Sequence, residues 1–151
     1  MNIISTQYSL NLKMLEIFVT GCDLSCEGCH NKELSDYKLG DNWETWISKI
    51  ANKIKDFDDI INLIVVTGGE PLLQDHKALI KMLAWLTSFK KPIVLFTRFE
   101  LDEVPVHVKI LVDYIKTGEY KSELTEENEY YGITLQTSNQ RVWKKEGNEW
   151  K

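Results

Sequence analysis

Apolar positions along the chain change their spacing several times. Residues 14–20 (MLEIFVT) form a β-branched and aromatic run of strand length. Trp43, Trp46, Ile47, Ile50, Ile54 and Phe57 then recur three and four residues apart, which is one apolar face of a helix. Asp41 begins that helix, with Glu44 three residues on as a capping box. Residues 60–67 (IINLIVVT) read as a buried strand, because continuous apolar runs suit parallel sheets covered on both faces. Gly68-Gly69-Glu70-Pro71 breaks that strand. A second helix is predicted over 75–89, with Leu79, Met82, Leu83 and Leu86 inward. Residues 92–97 (PIVLFT) predict a third strand and 108–115 (VKILVDYI) a fourth. Between them, 101–106 leaves room for a helical turn or two.

After residue 115 the pattern weakens. Residues 123–129 (ELTEENE) are polar and acidic, as in a solvated loop. Residues 132–136 and 141–144 have the composition of short strands. Residues 145–148 (KEGN) turn the chain into a final short strand or a frayed tail. Strand, loop and helix in repetition predict right-handed βαβ units and a parallel sheet, so the fold class is α/β. A single domain is expected over 1–151, with its core at about 14–116 and a C-terminal extension at about 117–151. No linker, repeat or low-complexity segment interrupts it.

Composition narrows the function classes. Hydrophobic residues make up 43% and charged residues 27%, ordinary values for a globular protein. A net charge of −5 gives no reason to expect a nucleic-acid partner. No apolar run approaches the roughly 20 residues of a membrane span. The first residues, MNIISTQYSLNLK, lack the basic and apolar regions of a signal peptide, so a cytoplasmic protein is expected. All three cysteines fall within the stretch 20–31 (TGCDLSCEGCHN). A reducing compartment and an odd cysteine count both argue against a disulfide framework.

Ligands of parallel α/β sheets bind at the C-terminal edge of the strands. The cysteine loop follows the first predicted strand and Gly68-Gly69-Glu70-Pro71 the second. Thr97-Arg98 follows the third and Lys116-Thr117-Gly118 the fourth. All four unusual stretches therefore share one edge. Cys22, Cys26 and Cys29 are spaced C-x3-C-x2-C, which lets a short loop fold its thiolates around one metal centre. Structural zinc takes four ligands, and His30 would have to join as the fourth although it adjoins Cys29. A cubane cluster is normally held by four cysteines, so three leave one iron open to a substrate. Three buried cysteines acting as small hydrophobes are the remaining alternative. The intervening Asp23, Ser25, Glu27 and Gly28 make a poor core segment for that.

The C-x3-C-x2-C loop after a first strand, with Gly68-Gly69-Glu70-Pro71 after the second, resembles the radical S-adenosylmethionine enzymes. The resemblance implies that Cys22, Cys26 and Cys29 hold a [4Fe-4S] cluster whose fourth iron chelates S-adenosylmethionine. It implies that Gly68 and Gly69 let the backbone approach the methionine moiety, while Glu70 holds its ammonium group or orders the turn. Gly28, Cys29, His30 and Arg98 are further S-adenosylmethionine contacts on the same reading, His30 toward the adenine and Arg98 toward the carboxylate or a partner protein. With about four βα units, the chain would form an open partial barrel of the radical S-adenosylmethionine type. Among short members it is similar to the glycyl-radical activating enzymes that serve anaerobic ribonucleotide reductase. That similarity lies in Cys26-Glu27-Gly28-Cys29-His30-Asn31, in the segment 97–104 (TRFELDEV) and in Ser138-Asn139-Gln140-Arg141. Tyr8 to Lys13 and Thr117-Gly118 depart from that pattern. The resemblance implies reductive cleavage of S-adenosylmethionine and hydrogen abstraction from a glycine of the reductase, with a flavodoxin- or ferredoxin-type electron donor. An open barrel suits a substrate that is a loop of another protein.

The remaining polar residues divide more evenly. His76 reads as a first-turn surface residue and His107 as structural. Asp113 either faces the cavity or pairs with a lysine. Asn139 and Arg141 anchor the C-terminal segment or meet the partner. Trp43 and Trp46 read as helix core, whereas Trp143 and Trp150, if exposed together, would mark an interface.

Overall fold

A computed structural model describes residues 1–151. The elements run β1 (Asn2–Ser9), β2 (Met14–Thr20), β3 (Asp41–Asn42), α1 (Ile47–Asp56), β4 (Leu63–Gly68) and α2 (His76–Thr87). They continue with β5 (Ile93–Phe96), α3 (Val106–Leu111), β6 (Tyr114–Thr117), β7 (Thr125–Tyr130), β8 (Ile133–Thr137), β9 (Arg141–Glu146) and β10 (Glu149–Trp150). Eight strands form one sheet in the order β10-β9-β6-β5-β4-β2-β1-β3. The central pairs β2–β4, β4–β5 and β5–β6 are parallel. The flanking pairs β1–β2, β1–β3, β6–β9 and β9–β10 are antiparallel. The fold is therefore α/β as expected, but its sheet is mixed rather than wholly parallel. Strands β7 and β8 form a separate antiparallel hairpin.

The two faces of the sheet differ in what covers them. On one, Leu15, Ile17 and Val19 of β2, Ile64 and Val66 of β4, Ile93 and Leu95 of β5 and Ile115 of β6 are buried. They share a core of 20 buried residues with Ile50 and Ile54 of α1, four apolar residues of α2 and Val108 of α3. On the other face a small apolar cluster sits at the N-terminal end, where Met14, Val65 and Val94 pack against Ile133 of the hairpin. Further along the same face come Glu16, Phe18, Thr67, Phe96 and Lys116, which line a cavity. The side-chain period of two along each strand thus puts the helices behind the sheet and the cavity in front of it.

Three expectations about elements are corrected, and one strand, β1, was not foreseen. Residues 108–115 are not one strand: α3 runs to Leu111 and β6 begins at Tyr114. Pro105 stands at the N-cap of α3, and inward packing of Val108 on the shared core overrides the strand preference of a valine- and isoleucine-rich segment. Helix α1 starts at Ile47 and not at Asp41, because Asp41 and Asn42 pair with Ile3 and Asn2 of β1. Asn42 instead caps a 3-10 turn, its side-chain oxygen accepting from the Glu44 N–H at 2.9 Å. The acidic stretch 123–129 is not a loop: most of it is in β7, held in strand form by its pairing with β8. Strand β1 was concealed by its polar residues; Lys13, at φ 53°, lies in the turn that returns it to β2.

Candidate functional site

Strand β2 delivers the cysteine loop to the C-terminal edge of the sheet, where the roots of the loop are pinned. The Gly21 N–H donates to the Leu34 carbonyl at 2.7 Å and the Cys22 N–H to the Ser35 carbonyl at 3.0 Å. The Asn31 amide donates to the Gly68 carbonyl at 3.1 Å, tying the end of the loop to the turn after β4. Cys22, Cys26 and Cys29 are all free, half-buried thiols lining one cavity of about 420 Å³. Its size falls in the range of roughly 300–1,000 Å³ of small-molecule sites. His30, Gly68, Gly69, Glu70 and Arg98 line the same cavity, so eight of the nine candidate site residues meet there. Gly28 does not. It sits at φ 72° with Tyr120 beside it, where an added Cβ would meet the Tyr120 ring at 2.8 Å.

Burial pushes the Cys22 thiol up, and Glu70 and the other two thiols add to the rise. The thiols ring the cavity without closing on a point: no three His, Cys, Asp or Glu side chains converge as ligands of one ion. Three cysteine sulfurs of one loop around a cofactor-sized space fit the chemistry of iron–sulfur ligation.

The turn after β4 is organised by Glu70, which is 3% exposed. Its Oε1 accepts from the Thr97 hydroxyl at 2.8 Å and the Leu72 N–H at 3.0 Å, and its Oε2 from the Arg98 N–H at 2.9 Å. Burial raises its pKa, against the pull of these donors. Of the two expected roles, the bonds observed are those that order the turn, and they also lock it to the exit of β5. Gln74 completes the joint, its buried amide donating to the carbonyls of Gly21 at 2.9 Å and Glu70 at 3.0 Å. Gly68 and Gly69 meet backbone before any ligand. A Cβ on Gly68 would collide with Val19, and one on Gly69 with Gly21.

Arg98 leans across the mouth of the cysteine loop. Its Nη1 lies 3.9 Å from Cys26 Sγ and its Nη2 3.6 Å from a Glu119 carboxylate oxygen. The His30 ring packs on Tyr120 at a centroid distance of 4.5 Å. Lys116, on β6, also faces the cavity with its ammonium 4.9 Å from the Phe96 ring, and burial lowers its pKa to about 8. Glu16 lines the cavity from β2, its carboxyl raised by burial.

Several of these were legible only in part. Glu16 stands alone in the apolar run of β2, and Lys116 falls four residues before Tyr120; charge inside a strand was the signal for both. Gln74 and Tyr120 carried no pattern of their own, whereas Asn31 closes the cysteine motif. The remaining polar candidates lie elsewhere. Asp113 sits at the opposite end of the sheet, its carboxylate accepting the Ile93 N–H at 2.8 Å. His76 and His107 are exposed and meet edge to face at 4.2 Å, one on α2 and one on α3. Asn139 donates to the Glu119 carbonyl at 2.9 Å and so anchors the C-terminal segment. Trp143 donates to the Thr117 hydroxyl at 3.0 Å, and Trp150 packs against the main core, so the two do not form an exposed pair.

A sequence profile of the 4Fe-4S single cluster domain family matches residues 13–143. The chain belongs to that family. It is 26% identical over 140 residues to the anaerobic ribonucleoside-triphosphate reductase-activating protein of Enterobacteria phage T4, covering 89% of this chain and 86% of that one. It is also 42% identical over 60 residues to the 7-carboxy-7-deazaguanine synthase of Rickettsia prowazekii (strain Madrid E), covering 36% of this chain and 23% of that enzyme. The family match and the similarity over most of the chain support placement among the activating enzymes. No helix is long and apolar enough to cross a membrane.

Proposed function

We propose that this chain is a radical S-adenosylmethionine activase for anaerobic ribonucleotide reductase, a single cytoplasmic domain built as an open partial barrel. The observation that carries the reading is the meeting of three thiols and the Gly68-Gly69-Glu70 turn in one cavity at the C-terminal edge of parallel strands. The name of the phage relative, similar over most of both chains, supports the partner. Cys22, Cys26 and Cys29 would hold the [4Fe-4S] cluster, and their number leaves one iron without a protein ligand. When bound, the cluster supplies one electron for reductive cleavage of S-adenosylmethionine, which yields the carbon radical that takes a hydrogen atom from a glycine of the reductase.

The chain's own residues do the holding and the shielding. Glu70 fixes the turn that bears Gly68 and Gly69, and Gln74 and Asn31 couple that turn to the cysteine loop. The rings of Phe18 and Phe96 on the cavity wall would limit the access of water to the reacting centre. His30 and Tyr120 present a tilted pair of rings for the adenine, and Lys116 a cation for the carboxylate of S-adenosylmethionine. A flavodoxin- or ferredoxin-type protein would deliver the electron.

The test is anaerobic reconstitution with iron and sulfide, then addition of reductant, S-adenosylmethionine and the reductase from the same source. The expected result is 5′-deoxyadenosine and a glycyl radical on the reductase by electron paramagnetic resonance. Cys26→Ala is expected to abolish both, together with the visible absorption of the cluster. Deoxyadenosine without the radical would favour a second reading, an enzyme acting on a small molecule, which the local similarity to the deazaguanine synthase supports. Neither product from a loaded cluster would overturn both readings and leave a non-enzymatic iron–sulfur protein.

A further inference from the structure

We propose that Arg98 sets the reduction potential of the cluster through the sulfur of Cys26. The inference rests on the assignment of Cys26 as a cluster ligand and adds a role for a residue outside the ligand set. Arg98 is the one side chain that donates to a cysteine sulfur, with Nη1 at 3.9 Å from Cys26 Sγ. Its place is determined from three sides. Its backbone N–H is held by Glu70 Oε2 at 2.9 Å. Its Nη2 meets Glu119 at 3.6 Å, and the same carboxylate meets Lys121 at 3.4 Å. The Asn139 amide in turn holds the Glu119 carbonyl. Its Nε is buried with no partner of its own, a polar atom brought to the site without any protein acceptor.

Iron–sulfur potentials follow the net charge, the hydrogen bonds to sulfur and the exposure of the cluster. Here the cavity wall carries two carboxyls, the buried Glu70 and the half-buried Glu16, besides the Lys116 ammonium. Adding an electron to a thiolate-bound cluster beside them raises the negative charge in a poorly screened space. A guanidinium donating to one thiolate stabilises the reduced form more than the oxidised form, so it raises the potential. Glu119 opposes this by drawing part of the guanidinium's charge away from the sulfur. Arg98 and Glu119 thus act as a pair with opposite signs.

Redox titration of the reconstituted full chain without S-adenosylmethionine, followed by the electron paramagnetic resonance of the reduced cluster, tests this. Arg98→Gln is expected to lower the midpoint potential at unchanged iron content, Arg98→Lys to recover part of the drop, and Glu119→Gln to raise the midpoint. Opposite shifts from the two partners are what a merely structural role would not produce. An unchanged or raised midpoint in loaded Arg98→Gln overturns the proposal. Where that variant takes up no iron, Glu119→Gln decides, and an unchanged or lowered midpoint there overturns it. A wild-type chain that binds no cluster overturns the ligand assignment and this inference with it, whereas a loaded variant with an unmoved midpoint overturns this inference alone.

Discussion

Glu70 and Lys116 show what single buried charges do at the edge of this cavity. The Glu70 carboxylate accepts three hydrogen bonds from three different residues, two of them on the neighbouring strand exit. Glu70→Ala leaves those donors unpaired in a buried place, and a loss of about 2–4 kcal/mol is expected on urea denaturation. Lys116 has no carboxylate partner, and burial brings its pKa from 10.5 down to about 8. Between those values the unfolded chain binds more proton than the folded chain, so this group makes stability rise with pH across that window. Below pH 8 its burial cost is fully expressed. Lys116→Met is therefore expected to stabilise the chain at pH 7 by at most about 3 kcal/mol. That advantage should shrink as pH approaches 10.5, which urea denaturation at the two pH values would measure. The cysteines were legible from spacing alone. Arg98 was legible as a strand-exit residue, but its contact with Cys26 required the loop and the strand exit to be brought together in space.

At the scale of elements, the joint between β2 and β4 is the critical one. Gly68 ends β4 at φ 117°, and a Cβ there would collide with the Val19 backbone. Neither the torsion nor the clash can be relieved by a side-chain rotation, so Gly68→Ala is expected to cost about 2–4 kcal/mol. Gly147 also has a positive φ, at 64°, but nothing lies within 4 Å of its Cβ position. Gly147→Ala should cost only about 1 kcal/mol, and comparing the two denaturation midpoints separates torsion from collision. The parallel strands β2, β4 and β5 and the helix α2 were readable because apolar runs and helical spacing are local signals, whereas β6 was read only as the end of a longer strand. Strands β1 and β7 and the helix α3 were not. The first two are polar strands whose form comes from a partner strand, and the third is a β-branched helix whose form comes from core packing.

Across the whole molecule, the sheet keeps its helices on one side and its cavity on the other. The hairpin β7–β8 closes part of the open side, and Ile133 is its buried contact with Met14, Val65 and Val94. Thr134 and Gln136 of the same hairpin, with Gln140 just beyond it, line the cavity. Ile133→Ala should cost about 2–4 kcal/mol locally. Hydrogen exchange is expected to quicken in 125–137 while α2, whose Leu79, Met82, Leu83 and Leu86 belong to the other core, keeps its protection. Equal loss of protection in both would show that the two cores open together.

The chain by itself determined the α/β class, three of its four parallel strands and the C-x3-C-x2-C spacing, because periodicity and cysteine spacing are written in neighbouring residues. It placed the cysteine loop, the Gly68-Gly69-Glu70 turn and Thr97-Arg98 on one edge by counting strands. Only the tertiary structure decided that Glu70 joins two strand exits, that the glycines serve backbone packing, and that Arg98 reaches Cys26. It also decided that a polar C-terminal hairpin folds back over the sheet. Each of these depends on contacts between residues distant in the chain, 27 and 28 positions apart for Glu70 with Thr97 and Arg98 and 72 for Arg98 with Cys26, and no local spacing encodes them.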